Sequence, residues 1–209
     1  MTSDGHGTPI GSSMFPAFGK YYMPELAEYY TKDIEKAKAL LKEAGYADGF
    51  SFTIQVPSNY TPHVETAQVL AEELKAINVD AKIELIEWET WVSDVYAGRK
   101  FQATVVGLDA SSLTAGAMLL RFNTDNSKNF INYHNPEYDA AYAKAMGTTD
   151  DAARTAAFKE CQQILTETAA NVYIQDMAEF VALNKKYAGY EFYPLYVQDF
   201  SKLYIVGEE

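Results

Sequence analysis

Three histidines (His6, His63 and His134) and one cysteine (Cys161) are the side chains of this 209-residue chain best suited to bond-making or metal chemistry. Such chemistry needs partners at workable spacing. The histidines are scattered, and none belongs to a pattern such as HExxH, which would set two ligands on one helix face. There is no GxSxG elbow, no GxxxxGK[ST] phosphate loop, and no GxGxxG opening a helix after a strand. Gly5-His6-Gly7 reads as part of a flexible lead-in. A single cysteine allows neither an internal disulfide nor a paired-cysteine metal site. Its neighbours Ala157, Phe158, Ile164 and Leu165 place Cys161 on the apolar side of a helix, as a core thiol rather than a nucleophile. The 29 Asp and Glu residues keep one catalytic alternative open, a carboxylate pair that meets only in the fold, as in a hydrolase or transferase. The expectation is a chain with no catalytic residue, no cofactor and no metal site.

Charge narrows the partners. With 17 bases against those 29 acids the net charge is −12. A chain this acidic lacks the basic footprint that nucleic acid or an anionic membrane surface demands. A composition of 48% hydrophobic and 22% charged residues is that of a globular chain of one or two domains. Sixteen Tyr and 11 Phe, beside only 2 Trp, suit core boundaries, wet interfaces and ligand clefts. No stretch reaches the 18 or so apolar residues that span a bilayer. The opening MTSDGHGTPIGSS has neither a basic n-region nor an apolar h-region, so no signal peptide is expected in it, and it reads as a linker or a cut inside a longer protein.

The elements that would position a site follow from periodicity. Residues 1–32 carry turn formers and no period, and read as an irregular lead-in. DIEKAKALLKEA at 33–44 puts Ile34, Ala37, Leu41 and Ala44 on one stripe, with Asp33 as N-cap and Gly45 as terminator. SFTIQVP at 51–57 alternates as a strand. Thr61-Pro62 then reads as an N-cap and first helical position, opening a helix that carries Val64, Ala67, Leu70, Leu74 and Ile77. VDAKIELIEW makes a second strand with Val79, Ala81, Ile83 and Leu85 on one face. A short helix with Trp91, Val92 and Val95 ends at Gly98, and FQATVVG at 101–107 reads as a buried third strand. A short helix is expected within 113–122, longer ones near 136–146 and 150–170, a strand at 171–176, and β-rich aromatic sequence over 177–209. Strands alternating with helices imply crossovers and a mainly parallel sheet flanked by helices. Ligands of such sheets sit beyond the carboxyl ends of the strands, which points to Pro57–Tyr60 (with Asn59 and Tyr60), Glu87–Trp88, and Gly107–Ser112 (with Gly107 and Ser111).

The run YYTKDIEKAKALLKEAGYADGF at 29–50 resembles a segment of the peptide- and nickel-type solute-binding proteins of ABC importers. In that family a tyrosine, an acid-led helix with a KAK-x-LL core, EAG-aromatic and a G-F pair open the second lobe. GTPIGSSMFP, VDAKIELIEWETW, NFINYHNPEYD, ILTETAA and GYEFYPL fall in the family's order, so the resemblance covers nearly the whole chain.

The resemblance implies an α/β lobe of periplasmic-binding-protein type II character. Residues 1–32 would be lead-in and hinge, 33–176 the second, ligand-binding lobe, and 177–209 a tail returning to a first lobe that this sequence lacks. The hinge crossings would lie before about Pro16 and near Gln175–Ala178. It also implies that two lobes close over a small ligand, a peptide or similar solute, and that the closed form docks on an ABC permease, the protein being periplasmic or a cell-surface lipoprotein. Asp109 of VVGLDASS stands nearest the family's aspartate for the ligand's α-amino group, although Gly107-Leu108-Asp109 is shorter than the usual spacing and no DPD follows. The alternative for Asp109 is capping the helix near 113. Trp88 matches a Trp that lines the cleft in some members, and a core role is its alternative. Dipeptide-specific members carry an arginine near the Pro57–Tyr60 turn. Ser58 and Asn59 stand there instead, which favours longer peptides or an uncharged ligand. A sugar or metal-chelate solute is the alternative ligand class.

Overall fold

The computed structural model describes residues 5–109, 112–193 and 198–207. They fall into two compact units that interleave along the chain, so neither coincides with the stretch 33–176. Of the described residues, the first takes Gly5, those of 30–108 and those of 127–133; the second takes those of 6–29, 109–126 and 134–207. The chain opens in the second unit with β1 (Thr8–Pro9), then two 3-10 segments, Pro16–Tyr21 and Pro24–Glu28. The first unit follows with α1 (Ile34–Glu43), β2 (Phe50–Pro57), α2 (Thr61–Leu74) and β3 (Val79–Ile86). It continues with α3 (Trp88–Thr90), which widens into π-helix over Trp91–Ala97, and with β4 (Ala103–Thr104).

The first unit is a three-stranded parallel sheet in the order β3-β2-β4. β2 and β3 run in register from Phe50↔Val79 to Pro57↔Ile86, and Ser58 N–H extends the ladder to Ile86 O at 2.9 Å. Ile54 and Val56 of β2 and Ala81 of β3 meet Ala67 of α2 in a buried cluster, joined by Phe52, Val64, Leu74 and Ile83. α1 forms as its sequence predicts. The Asp33 carboxylate accepts the Lys36 N–H at 2.9 Å, and Gly45 at φ 87° closes the C-terminus, where Tyr46 N–H reaches Leu41 O at 2.8 Å.

Several expectations are corrected. Tyr60, not Thr61, is the N-cap of α2, and Pro62 lies within its first turn. FQATVVG pairs only at Ala103–Thr104. The Gln102 side-chain oxygen takes the Thr53 N–H at 2.8 Å and the Thr104 hydroxyl donates to Gln55 O at 2.6 Å, so side chains stand in for much of that ladder. None of its residues is fully buried. Leu85 and Val92, predicted on apolar faces, are exposed.

The second unit holds α4 (Ala115–Leu119) with a 3-10 turn over Leu120–Phe122, α5 (Pro136–Met146), α6 (Asp151–Glu167), β5 (Gln175–Asp176), β6 (Tyr187–Ala188) and β7 (Tyr204–Ile205). Asn135 caps α5 through the N–H groups of Glu137 and Tyr138, and Asp150 caps α6 through Ala153 N–H. α5 and α6 pack on each other, and their Tyr138, Ala141, Ala145, Ala157, Phe158 and Leu165 are buried. The lead-in is not merely a wrap, because Met14, Phe18 and Leu26 are buried in this unit. The expected strand at 171–176 shrinks to β5, which pairs antiparallel with β1 as Thr8↔Asp176 and Pro9↔Gln175. Beyond it, β6 and β7 form a small antiparallel pair, and Phe180, Phe192, Tyr193, Phe200, Tyr204 and Ile205 are exposed. Among the described residues no helix is long and apolar enough to cross a membrane.

Candidate ligand site

In the first unit, the carboxyl ends of β2 and β3 carry a continuous set of rings. Trp91 is buried, and its indole N–H donates to the Thr104 hydroxyl at 2.9 Å, which in turn donates to Gln55 O of β2. That chain of two bonds ties the ring to the sheet. Trp88, one helical turn earlier, stacks on Trp91 with centroids 5.1 Å apart and planes at 8°. Tyr60, at the turn after β2, meets Trp88 edge-on at 5.5 Å, and His63 tilts against Tyr60 at 5.1 Å. Each such ring pair contributes about 0.5–1.5 kcal/mol beyond the area it buries. Phe130 and Tyr96 back Trp91 from the core side, so the shelf is anchored inside and open outside, with Tyr60 41% exposed.

His63 is half-buried in the first turn of α2, and burial pushes its pKa below the ordinary histidine value. Burial thus favours the neutral imidazole over the charged form. Its Nδ1 is buried and meets no hydrogen-bonding group among the described residues. A buried polar atom of that kind is suited to a water or a ligand. On its other side a Cβ built on Gly107 would lie 3.4 Å from His63 Nε2, so Gly107 stands beside the ring.

The structure thus brings Tyr60, Trp88 and, through His63, Gly107 into one neighbourhood, with Asn59 exposed in the same β2–α2 turn. Asp109 is exposed and belongs to the second unit, where its backbone carbonyl accepts from Arg121 Nη2 at 3.0 Å. It does not cap α4, whose N-cap is Thr114. Ser111 lies outside the described residues. Two members of the shelf, His63 and Trp91, escaped sequence reasoning. A histidine three residues after Tyr60, and a second Trp three residues after the first, were the available signals. Cys161 is fully buried as expected, and burial raises its thiol to about 12. Among the described residues no cluster of three or more His, Cys, Asp and Glu could hold a metal ion.

The fold is that of the type II periplasmic binding proteins. Residues 2–130 match the model of the bacterial extracellular solute-binding proteins, family 5 (middle region), and the chain belongs to that family. The di/tripeptide-binding protein 2 of Pseudomonas aeruginosa is 26% identical over 93% of this chain and 38% of its own length. The periplasmic oligopeptide-binding protein of Haemophilus influenzae is 34% identical over 63% of this chain and 25% of its own. Among solved structures, the ABC transporter substrate binding protein CtaP of Listeria monocytogenes matches with a TM-score of 0.84 at 26% identity, over 95% of this chain and 41% of that one. All three bear the names of binding proteins. The chain spans well under half the length of each.

Proposed function

We propose that this chain is the second lobe and C-terminal tail of the substrate-binding component of an ABC importer, and that it binds peptides or a similar small solute together with a first lobe not contained in the sequence. The observation that carries this reading is the Tyr60–Trp88–Trp91 shelf beyond the ends of β2 and β3, which suits apolar and aromatic side chains of a ligand. The peptide-binding names of the relatives support the solute class. In this reading Trp88, Tyr60, Asn59 and Gly107 of the first unit line a ligand-binding face with His63 as a polar neighbour, and Asp109 and Ser111 are candidates to contact a ligand's ammonium group. The work is binding and release with no bond made or broken, in an extracytoplasmic setting, followed by docking on the permease.

Pairing of Thr8–Pro9 with Gln175–Asp176 supports placing both hinge crossings there, with the lobe between them and the tail beyond. The exposed rings of the tail support its return to the first lobe. Mass spectrometry of what co-purifies with the full-length protein tests the solute class. Trp88→Ala should weaken a peptide found this way about tenfold or more, as loss of a central aromatic does. Micromolar or tighter peptide binding by the isolated 209-residue chain in calorimetry would overturn the two-lobe reading, because one lobe leaves much of the ligand wet.

A further inference from the structure

Asp109 stands on a loop, and an exposed loop carboxylate is a poor ammonium anchor unless something fixes the backbone beneath it. Within the second unit that fixture is visible. Arg121 reaches back twelve residues, and its Nη2 donates to the Asp109 carbonyl at 3.0 Å. Among the described residues Arg121 enters no ion pair, although the chain is strongly acidic, so its charge is directed at a neutral backbone group.

Arg121 is itself held on a rigid base. Its neighbours Leu119 and Phe122 are buried at 0% and 2% exposure. The segment is fastened to α5 at three places. The Tyr142 hydroxyl donates to Gly116 O at 2.9 Å, and the Tyr138 hydroxyl donates to Leu119 O at 2.6 Å. The Asp139 carboxylate accepts the Thr124 N–H at 3.0 Å and the Thr124 hydroxyl at 2.5 Å. At the loop's far end the hydroxyls of Ser112 and Thr114 bond each other at 3.0 Å.

We propose that Arg121 is a positioning residue: it clamps the backbone at Asp109 so that the carboxylate is set for a ligand ammonium before the ligand arrives. The proposal rests on the assignment of Asp109 to the ligand amine. A preorganised anchor spares the ligand the cost of ordering the loop, so the clamp acts on affinity for free-amine ligands without touching the ligand itself.

The test uses the full-length protein and two equimolar tripeptide mixtures, one with free amines and one N-acetylated, scored by competition mass spectrometry, together with hydrogen exchange over 107–114. Arg121→Gln should speed exchange in that segment about tenfold and lower retention of free-amine peptides about tenfold, as expected for loss of a hydrogen bond from a charged donor. Retention of N-acetylated peptides should be unchanged, and Arg121→Lys should restore part of both effects. In an Asp109→Ala background Arg121→Gln should have no further effect on retention. Unchanged exchange over 107–114 in Arg121→Gln overturns the clamp. So does equal loss of both peptide mixtures, which marks a merely structural arginine. Faster exchange in Arg121→Gln alongside an Asp109→Ala variant that still prefers free amines overturns the amine assignment instead, and leaves the clamp as a fact about the loop alone.

Discussion

Replacing Gln162 tests how the lead-in is fastened. Gln162 is fully buried on α6. Its Oε1 accepts from the Ser12 hydroxyl at 3.0 Å, and its Nε2 donates to Tyr21 O at 2.8 Å and Phe158 O at 3.2 Å. One helical turn on, the Thr166 hydroxyl donates to Gly11 O at 2.7 Å. Gln162→Leu keeps volume and helix propensity but leaves the Ser12 hydroxyl, 1% exposed, without its acceptor and the Tyr21 carbonyl without its donor. Phe158 O keeps its helical partner and loses little. Each orphaned buried group costs about 1–3 kcal/mol. Tyr21 is only half-buried, so water relieves part of its share, and leucine regains some apolar burial. The net loss is about 2–3 kcal/mol. Denaturant unfolding followed by circular dichroism reads the total, since both tryptophans lie in the other unit. Hydrogen exchange reads the place, with faster exchange expected over residues 11–22. Ser12→Ala added to Gln162→Leu removes the orphan hydroxyl but also the acceptor of the Met14 N–H at 3.3 Å, so it should cost less in that background than in the wild-type protein. Unchanged protection of 11–22, or strictly additive losses in the double variant, would show that this network does not hold the lead-in.

Gly49 has φ 80°, and a Cβ there would lie within van der Waals overlap of Asn78 O beside the first β2–β3 pair, so Gly49→Ala should cost about 2 kcal/mol or more by thermal unfolding, whereas Gly45→Ala, with open space, should cost only about 1. Burial and the neighbouring Glu179 raise the carboxyl pKa of Asp176 in β5. A raised acid favours folding while protonated, and that stability is lost as pH rises from the ordinary carboxylate value through the folded one. Asp176→Asn should therefore raise the melting temperature at neutral pH and leave it unchanged in acid; a lower melting temperature at neutral pH would show that the charged form is needed. Cys161, with its thiol pushed up to about 12, should resist maleimide in the native protein at neutral pH and react fully in denaturant; rapid native labelling would mean that α6 opens locally.

Much of the framework was legible because its signals are local. Asp33, Gly45 and the Ile34–Leu41 stripe mark α1 within a dozen residues, and Pro136 does the same for α5 and Asp150 or Asp151 for α6, where the structure makes Asp150 the cap. Period-two alternation marked β2 and β3. What failed depended on distant partners. FQATVVG has the composition of a central strand, yet Gln102 and Thr104 spend side-chain groups on β2 where backbone would otherwise pair. NVYIQD forms only two residues of strand because its partner, Thr8–Pro9, is just as short. A lead-in without periodicity gave no sign that Met14, Phe18 and Leu26 would be buried, since burial there comes from α6 and its neighbours and not from the segment's own pattern.

The site divides along the same line. Strand-end logic pointed to Tyr60 and Trp88, whose rings meet in the structure, because it needs only the topology of a parallel sheet. It could not find His63, whose importance lies in a desolvated ring beside Tyr60 with an unmet Nδ1, a property of packing. Nor could it separate the two tryptophans. Trp91 was read as filler for a short helix, and it is buried, but its bond to Thr104 makes it the fixed ring on which Trp88 lies flat. The stacking of Trp88 on Trp91 is compatible with both its core and its ligand-lining alternatives. A ring can present one face to a ligand only if the other is held, and here the holding face is another tryptophan tied through one hydroxyl to the central strand. Loosening that tie by Thr104→Val should leave the fold intact, yet widen the range of orientations Trp88 adopts. Tryptophan fluorescence anisotropy decay would detect this as added fast motion, and an unchanged decay would mean that stacking alone fixes the ring.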